Sequence, residues 1–228
     1  MMFFHQKHTV TFHLSDQCNI RCNDCHWFSQ PINPSDKIID YRDYLNWLNI
    51  NIKKIKFIKL SGGEPTLYPD FLNLINNIPV KIRVRVNSNG TNIDMLRQIS
   101  RKNIELAISK NRKVNPDFED NIKKLKFPYS IVSFNGSDAC LKNEVKFGED
   151  EKYFCMINKP CFCSAKEIRF ASNGYAYNCE IGLRSKNKIY QTGLSLWGGK
   201  LRKYKLKCTI KKECLSNFLN ENTYKLIK

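Results

Sequence analysis

Asp16-Gln17-Cys18-Asn19-Ile20-Arg21-Cys22-Asn23-Asp24-Cys25 follows an apolar, alternating segment, His8 to Leu14, that reads as a β-strand. Three thiols at C-x3-C-x2-C spacing therefore lie on the loop leaving that strand. Structural zinc sites and ordinary electron-transfer clusters take four protein ligands, whereas three thiolates on a [4Fe-4S] cluster leave one iron open to something else. Downstream, Ile55 to Leu60 reads as a second strand and runs into Ser61-Gly62-Gly63-Glu64-Pro65. Paired glycines let a backbone approach a ligand closely, and carbonyls freed there can accept from an ammonium group, which carries three donors. Taken singly, the cysteine spacing also suits a zinc-knuckle fragment and the glycine pair a turn. Together, each at the end of a strand and about forty residues apart, they point to one site.

The surrounding pattern alternates strand and helix, the sign of a parallel α/β sheet. A helix is expected from Tyr41 to Ile50, with Tyr44, Leu45, Trp47 and Leu48 as its apolar face. Another is expected from Pro69 to Asn76, with Pro69 in the first position, where its missing N–H is not needed. Lys81 to Val86 alternates as a third strand and ends in Asn87-Ser88-Asn89-Gly90; Thr91 is then expected to cap a helix, with Asp94 three residues on. Asn103 to Ser109 and Tyr129 to Phe134 supply fourth and fifth strands, joined by a helix from Asn115-Pro116 to Leu125 that Pro128 ends. Ligands of parallel sheets gather at the strands' C-terminal ends, where both motifs fall. From Cys140 the pattern changes: Cys140, Cys155, Cys161, Cys163, Cys179, Cys208 and Cys214 crowd the remainder. Within it, Glu167 to Ala171 and Tyr175 to Tyr177 flank Ser172-Asn173-Gly174 as a β-hairpin with glycine at a positive-φ turn position. A hairpin sets residues before and after its turn side by side, so thiols at its open end can converge on one metal, and a set of four sulfurs suits zinc or iron–sulfur equally.

The three-cysteine loop and the GGEP run resemble the signatures of radical S-adenosylmethionine (radical SAM) enzymes. The five strand–helix units resemble a shortened, open form of that family's partial (β/α)6, TIM-like barrel, an α/β fold. The resemblance implies that Cys18, Cys22 and Cys25 hold a [4Fe-4S] cluster whose open iron chelates SAM, and that Gly62, Gly63 and Glu64 hold the methionyl amino group. It implies that Asn89 and Ser109, at the ends of the third and fourth strands, meet the SAM carboxylate and ribose; strand-end capping accounts for both equally well. Ser133 and Asn135, at the end of the fifth strand, are candidates of the same kind. Reductive cleavage of SAM then yields a 5′-deoxyadenosyl radical that abstracts hydrogen from a small-molecule, nucleotide or peptide substrate. An external donor of flavodoxin or ferredoxin type supplies the electron. The family commonly has an aromatic residue before the third cysteine; Asp24 stands there, and His26, Trp27 and Phe28 follow as substitutes for the apolar contact. His26 is expected beside the cluster as a hydrogen-bonding neighbour, not as a ligand.

Cys163-x10-Gly174-x4-Cys179 resembles the opening half of the SPASM and Twitch extensions of the same enzymes. A full SPASM extension continues with more cysteines than Cys208-x5-Cys214 provides, so the resemblance implies a Twitch-like module with one auxiliary [4Fe-4S] cluster. Its ligands would be Cys161 or Cys163, then Cys179, Cys208 and Cys214, with Cys155 as a substitute for one of the last two. Zinc on the same thiols is the alternative, and Cys140 is left as a buried free thiol. An auxiliary cluster would accept the electron left on the substrate radical, making the enzyme an oxidoreductase, or bind substrate at an open iron. The domain reading is a barrel core over residues 1–140 and a small cysteine-rich hairpin extension over residues 141–228. Twitch-bearing relatives act on carbohydrates, cofactor precursors and ribosomally made peptides; no separate peptide-recognition domain is visible here, which favours a small molecule or a nucleotide.

With 228 residues and 42% of them hydrophobic, the chain is long and apolar enough to bury a core. No window approaches about eighteen uninterrupted apolar residues, and Met1 to His8 contains no signal-peptide run. A cytoplasmic protein is expected, in which ten cysteines serve as metal ligands rather than disulfides. The net charge of +17 favours a polyanionic partner and, with the distal thiols, motivates a rival reading as a zinc-containing basic nucleic-acid-binding module. Against it, the basic residues are scattered apart from short clusters at Lys200 to Lys207 and Lys211-Lys212, and no RNA-recognition or helix-turn-helix signature is present. Abundant Asn and Ile alongside Lys fit coding bias. A non-catalytic electron carrier would have no SAM for the GGEP run to hold.

Overall fold

Side chains that point alternately to either side of His8–His13 (β1), Ile55–Ser61 (β2), Arg83–Ser88 (β3) and Ile104–Ser109 (β4) build a parallel sheet with two unlike faces. The computed structural model describes residues 7–20, 37–109, 117–132, 167–177, 186, 191–198 and 201. Tyr129–Val132 (β5) extends the sheet in parallel beyond β4. On the other side of β1 lies Glu167–Phe170 (β6), also parallel, then the antiparallel Tyr175–Tyr177 (β7) and Gln191–Ser195 (β8). Among the described residues the order is β5-β4-β3-β2-β1-β6-β7-β8, a parallel-rich α/β sheet in keeping with a partial barrel. The β6–β7 hairpin is the expected one, with Gly174 at φ +79°. Its parallel seat against β1, and β8 itself, go beyond the sequence reading.

The apolar face carries Val10, Phe12, Ile58, Leu60, Val84, Val86, Leu106, Ile168 and Phe170, all buried. The helix Tyr41–Asn51 (α1) packs on it: the rings of Tyr44 and Trp47 stand edge-on to Phe12 at 5.0 and 6.1 Å, and Trp47 meets Phe170 at 4.7 Å. Each such ring contributes about 2–3 kcal/mol by burial. Asp40 caps α1 by accepting from the Arg42 N–H at 2.8 Å. At the other end Asn51 donates to the Trp47 carbonyl at 2.9 Å and accepts from the Leu201 N–H at 2.6 Å. The helices Phe71–Asn77 (α2), Ile93–Arg97 (α3) and Phe118–Lys123 (α4) add Phe71, Leu74, Leu96 and Phe118 to the core.

The opposite face is polar. Register aligns Arg169, Thr11, Lys59, Arg85 and Glu105 across β6, β1, β2, β3 and β4. Glu105 pairs with Arg83 and Arg85, whose guanidinium groups lie 5.6 and 5.7 Å from the Phe57 ring centre. Glu167 pairs with Lys59 at 3.2 Å and Arg169 at 3.5 Å and accepts from the Thr11 hydroxyl.

Three helix starts differ from the sequence reading, and one of them is that of α4, which begins at Phe118 with Asp117 as its N-cap instead of at Asn115-Pro116. Pro65–Leu67 forms a 3-10 turn, and Tyr68, extended as a residue before proline tends to be, donates its hydroxyl to the Ile39 carbonyl at 2.7 Å. Pro69 is thus left in the link, and α2 begins two residues later with Asp70 as its N-cap. The cap of α3 is Asn92, which accepts from the Met95 N–H at 3.4 Å, because the Thr91 hydroxyl is committed to Asn89. No helix among the described residues is long and apolar enough to cross a membrane.

Arg101, 7% exposed, closes the end of the sheet away from the motifs. Its guanidinium donates to the carbonyls of Ile75 at 3.1 Å, Ile78 at 2.8 Å, Ile82 at 2.7 Å and Lys102 at 3.2 Å, joining the end of α2 to the turns around β3 and β4. Arg101→Met should lower stability by about 3 kcal/mol, and Arg101→Lys should recover less than half, since an ammonium cannot reproduce the planar fork. Urea unfolding measures both; a wild-type midpoint in either variant would overturn the assignment.

Candidate functional site

Because β1, β2 and β3 run in parallel, the loops that leave them meet on one rim. The ladder continues past β1 with the Leu14 N–H donating to the Ser61 carbonyl at 3.0 Å. Beyond it the Gly63 N–H donates to Ser15 O and the Glu64 N–H to Gln17 O, both at 2.8 Å. A Cβ on Gly63 would lie 2.0 Å from Gln17 O, and one on Gly62, at φ +125°, 2.3 Å from Ser15 O. The glycines are therefore required by the loop that delivers Cys18. Among the described residues no donor is paired with the carbonyl of either glycine.

Glu64 is 1% exposed. Its Oε1 accepts from the Thr66 N–H at 3.1 Å, the Thr66 hydroxyl at 2.7 Å and the Ser88 hydroxyl at 2.9 Å, and its Oε2 from the Asn89 N–H at 2.6 Å. Burial pushes the carboxyl above its ordinary value, against the pull of these four hydrogen bonds. Ser88 also accepts from the Gly90 N–H at 3.0 Å, so the carboxylate pins the GGEP run to the turn after β3.

The next contact reaches the thiol. Asn89, 8% exposed, approaches the buried Cys18 Sγ with its Nδ2 at 3.6 Å and donates to Asn19 Oδ1 at 2.9 Å. Its Oδ1 accepts from the Thr91 N–H at 3.0 Å and the Thr91 hydroxyl at 2.7 Å, and Asn19 Nδ2 donates to that hydroxyl at 2.8 Å. On the other flank Asp16 accepts from the Ser172 hydroxyl at 2.8 Å and pairs with Lys186, which ties the start of the cysteine loop to the β6–β7 turn. Register places that turn at the rim and the hairpin's open end beside the start of β1. Beside the turn is a cavity of about 960 Å³ bordered by Leu14, Asp16, Ile39, Tyr175, Lys186 and Trp197. Trp197 stands edge-on to Tyr175 at 5.8 Å and donates to Asp43 at 3.1 Å.

Of the residues read from sequence, Cys18, Gly62, Gly63, Glu64 and Asn89 are thus brought together, and Ser109 ends β4 on the same rim without a hydrogen bond to that group among the described residues. Cys22, Asp24, Cys25, His26, Trp27, Phe28, Ser133, Asn135, Cys140, Cys155, Cys161, Cys163, Cys179, Cys208 and Cys214 lie outside the described residues. Asp16, Asn19, Thr66, Ser88 and Thr91 are partners that the motifs alone did not reveal. Their signal was a run of short polar side chains at strand ends, where buried backbone must be satisfied. The donor set fits the implied groups: an amide N–H faces the buried Cys18 sulfur, which suits a thiolate ligand, and the two glycine carbonyls carry no hydrogen bond among the described residues that would compete with an ammonium.

Gly63→Ala should cost about 3 kcal/mol or more, because both sides of the clash are backbone, and thermal unfolding of the metal-free protein reads it directly. Glu64 sets a pH dependence. A folded carboxyl raised above the ordinary 4.5 contributes stability at lower pH that is lost as pH rises through its folded value. The margin of wild type over Glu64→Gln in urea unfolding should therefore shrink as pH increases from 4.5; a growing margin would mean that the four hydrogen bonds outweigh burial.

The family model of the Radical SAM superfamily matches residues 12–126. No curated protein matches the chain. Streptococcus suis SuiB bound to precursor peptide SuiA superposes with a TM-score of 0.54 at 16% identity, over 98% of this chain and 67% of that one. A further crystal structure of SuiB gives 0.51 at 15% identity over 84% and 63%, and native anSMEcpe with bound AdoMet gives 0.52 at 13% over 95% and 82%. These likenesses are of fold, and the chain spans no more than 67% of the SuiB chains. The matched segment runs from within β1 to beyond α4, just over half of the chain, and takes in both loops that meet at the rim: the chain belongs to the radical SAM superfamily.

Proposed function

We propose that the protein, an enzyme of the radical SAM superfamily, reductively cleaves SAM and abstracts hydrogen from its substrate at the rim of β1 to β4. The observation that carries the proposal is the hydrogen-bonded junction of three strand-end loops around Cys18, Gly62-Gly63-Glu64 and Asn89. When bound, a [4Fe-4S] cluster on Cys18, Cys22 and Cys25 and its SAM would supply the electron and the 5′-deoxyadenosyl radical. The chain's own task is to hold and orient. The Gly62 and Gly63 carbonyls accept from the methionyl ammonium, Glu64 fixes their backbone by anchoring it to the end of β3, and Ser109 meets the carboxylate or ribose from β4. The cavity beside Trp197 receives the substrate.

In this proposal residues 1–140 form the core and residues 141–228 a Twitch-like extension. Cys161 or Cys163, with Cys179, Cys208 and Cys214, holds an auxiliary [4Fe-4S] cluster, and Cys155 substitutes for one of the last two. The hairpin at the edge of β1 and its tie to Asp16 support an extension that works with the core. SuiB is solved with a precursor peptide, which keeps peptides beside small molecules and nucleotides as substrate classes. A flavodoxin or ferredoxin would supply electrons in the cytoplasm.

Anaerobically reconstituted protein given dithionite and SAM should form 5′-deoxyadenosine, and Cys18→Ala should form none. Iron should reach about eight per chain and fall to about four in the triple alanine variant of Cys18, Cys22 and Cys25. Zinc in place of the distal four irons would favour a zinc extension and revive the nucleic-acid reading. Iron-replete protein that never forms 5′-deoxyadenosine would overturn the proposal.

A further inference from the structure

The orientation of the Asn89 amide follows from its partners. The Thr91 backbone N–H can only donate, so the atom facing it at 3.0 Å is Oδ1, which turns Nδ2 toward Cys18 and Asn19. Around the ring the directions agree: Asn19 Nδ2 donates to the Thr91 hydroxyl, which donates to Asn89 Oδ1, while Asn89 Nδ2 donates to Asn19 Oδ1. One Nδ2 hydrogen is therefore directed at the Cys18 sulfur, 3.6 Å away. Both amide hydrogens and both oxygen lone pairs are then occupied, and the backbone N–H is held by Glu64. No donor of this side chain remains for a SAM carboxylate.

We infer that Asn89 is a positioning residue that raises the reduction potential of the cluster held by Cys18, through an N–H···S hydrogen bond, instead of binding SAM. The inference rests on the cluster assignment proposed above. Reduction adds an electron whose charge spreads over the sulfurs, and a donor aimed at one of them stabilises the reduced form more than the oxidised. The bond also links potential to architecture, since the same residue carries the contact to the GGEP carboxylate.

The test is a redox titration of the reconstituted enzyme, without substrate, followed by electron paramagnetic resonance, with SAM affinity measured alongside. Asn89→Leu should lower the one-electron equilibrium constant for reduction about tenfold, which is about 59 mV, and leave SAM affinity unchanged. Asn89→Asp keeps the acceptor for Thr91, and at about pH 8 it turns a carboxylate oxygen toward the sulfur, so its potential should fall at least as far. Thr91→Val loosens the ring but keeps the Nδ2–Sγ contact and should leave the potential in place. An unmoved potential in both Asn89 variants, an equal fall in Thr91→Val, or a loss of SAM affinity with the potential unmoved would overturn the inference. A wild type that assembles no iron–sulfur signal would instead overturn the cluster assignment beneath it.

Discussion

Two backbone hydrogen bonds, from Gly63 to Ser15 and from Glu64 to Gln17, bring the loop after β1 against the loop after β2. Their own contribution is modest, about 1 kcal/mol each. Their importance is steric: the two chains approach so closely that only glycine fits, and residues 15–17 lead directly to Cys18. The position of the first thiol is thus set by main chain, which has far less freedom than a side chain. A loop of short polar residues would otherwise have many conformations close in energy, and the junction selects one of them for the segment that reaches Cys18.

Around that junction, polar side chains are buried because each finds complete partners. Glu64 faces two backbone N–H groups and two hydroxyls, and at the far end of the sheet Arg101 faces four backbone carbonyls. Both side chains have their polar atoms matched by fixed partners, an arrangement that locks turns to strand ends with directional bonds. The half-exposed pairs of the polar sheet face differ in kind. Arg83 and Arg85 with Glu105 lie partly in solvent, where screening leaves such pairs worth about 1 kcal/mol or less.

The elements legible in the sequence were those with strong period: the alternation of β1 to β4, the apolar face of α1, and the turn at Gly174. Both motifs also declared themselves, because Cys18 and Gly62-Gly63 belong to rare patterns. What stayed hidden depended on partners distant in the chain. Nothing near Asn89 says that its amide faces Cys18, seventy-one positions away. Nothing in Glu167-Ile168-Arg169-Phe170 distinguishes a strand of a separate hairpin from one lying parallel to β1, since alternating polar and apolar side chains suit both. Thr91 and Asn92 are equally good caps in isolation, and tertiary hydrogen bonding decided between them.

The parallel pairing of β1 with β6 joins Thr9 to Glu167 and Phe12 to Phe170. Contacts so far apart are slow to form, because a long loop must close before they add any stability. During synthesis β2 to β5 can assemble on one side of β1 well before β6 leaves the ribosome. In that interval β1 is an open sheet edge with Phe12 incompletely covered, the kind of edge that recruits other chains. The strand that carries the Cys18 loop is therefore among the last parts of the sheet to be enclosed, and until β6 arrives it keeps an edge open to pairing.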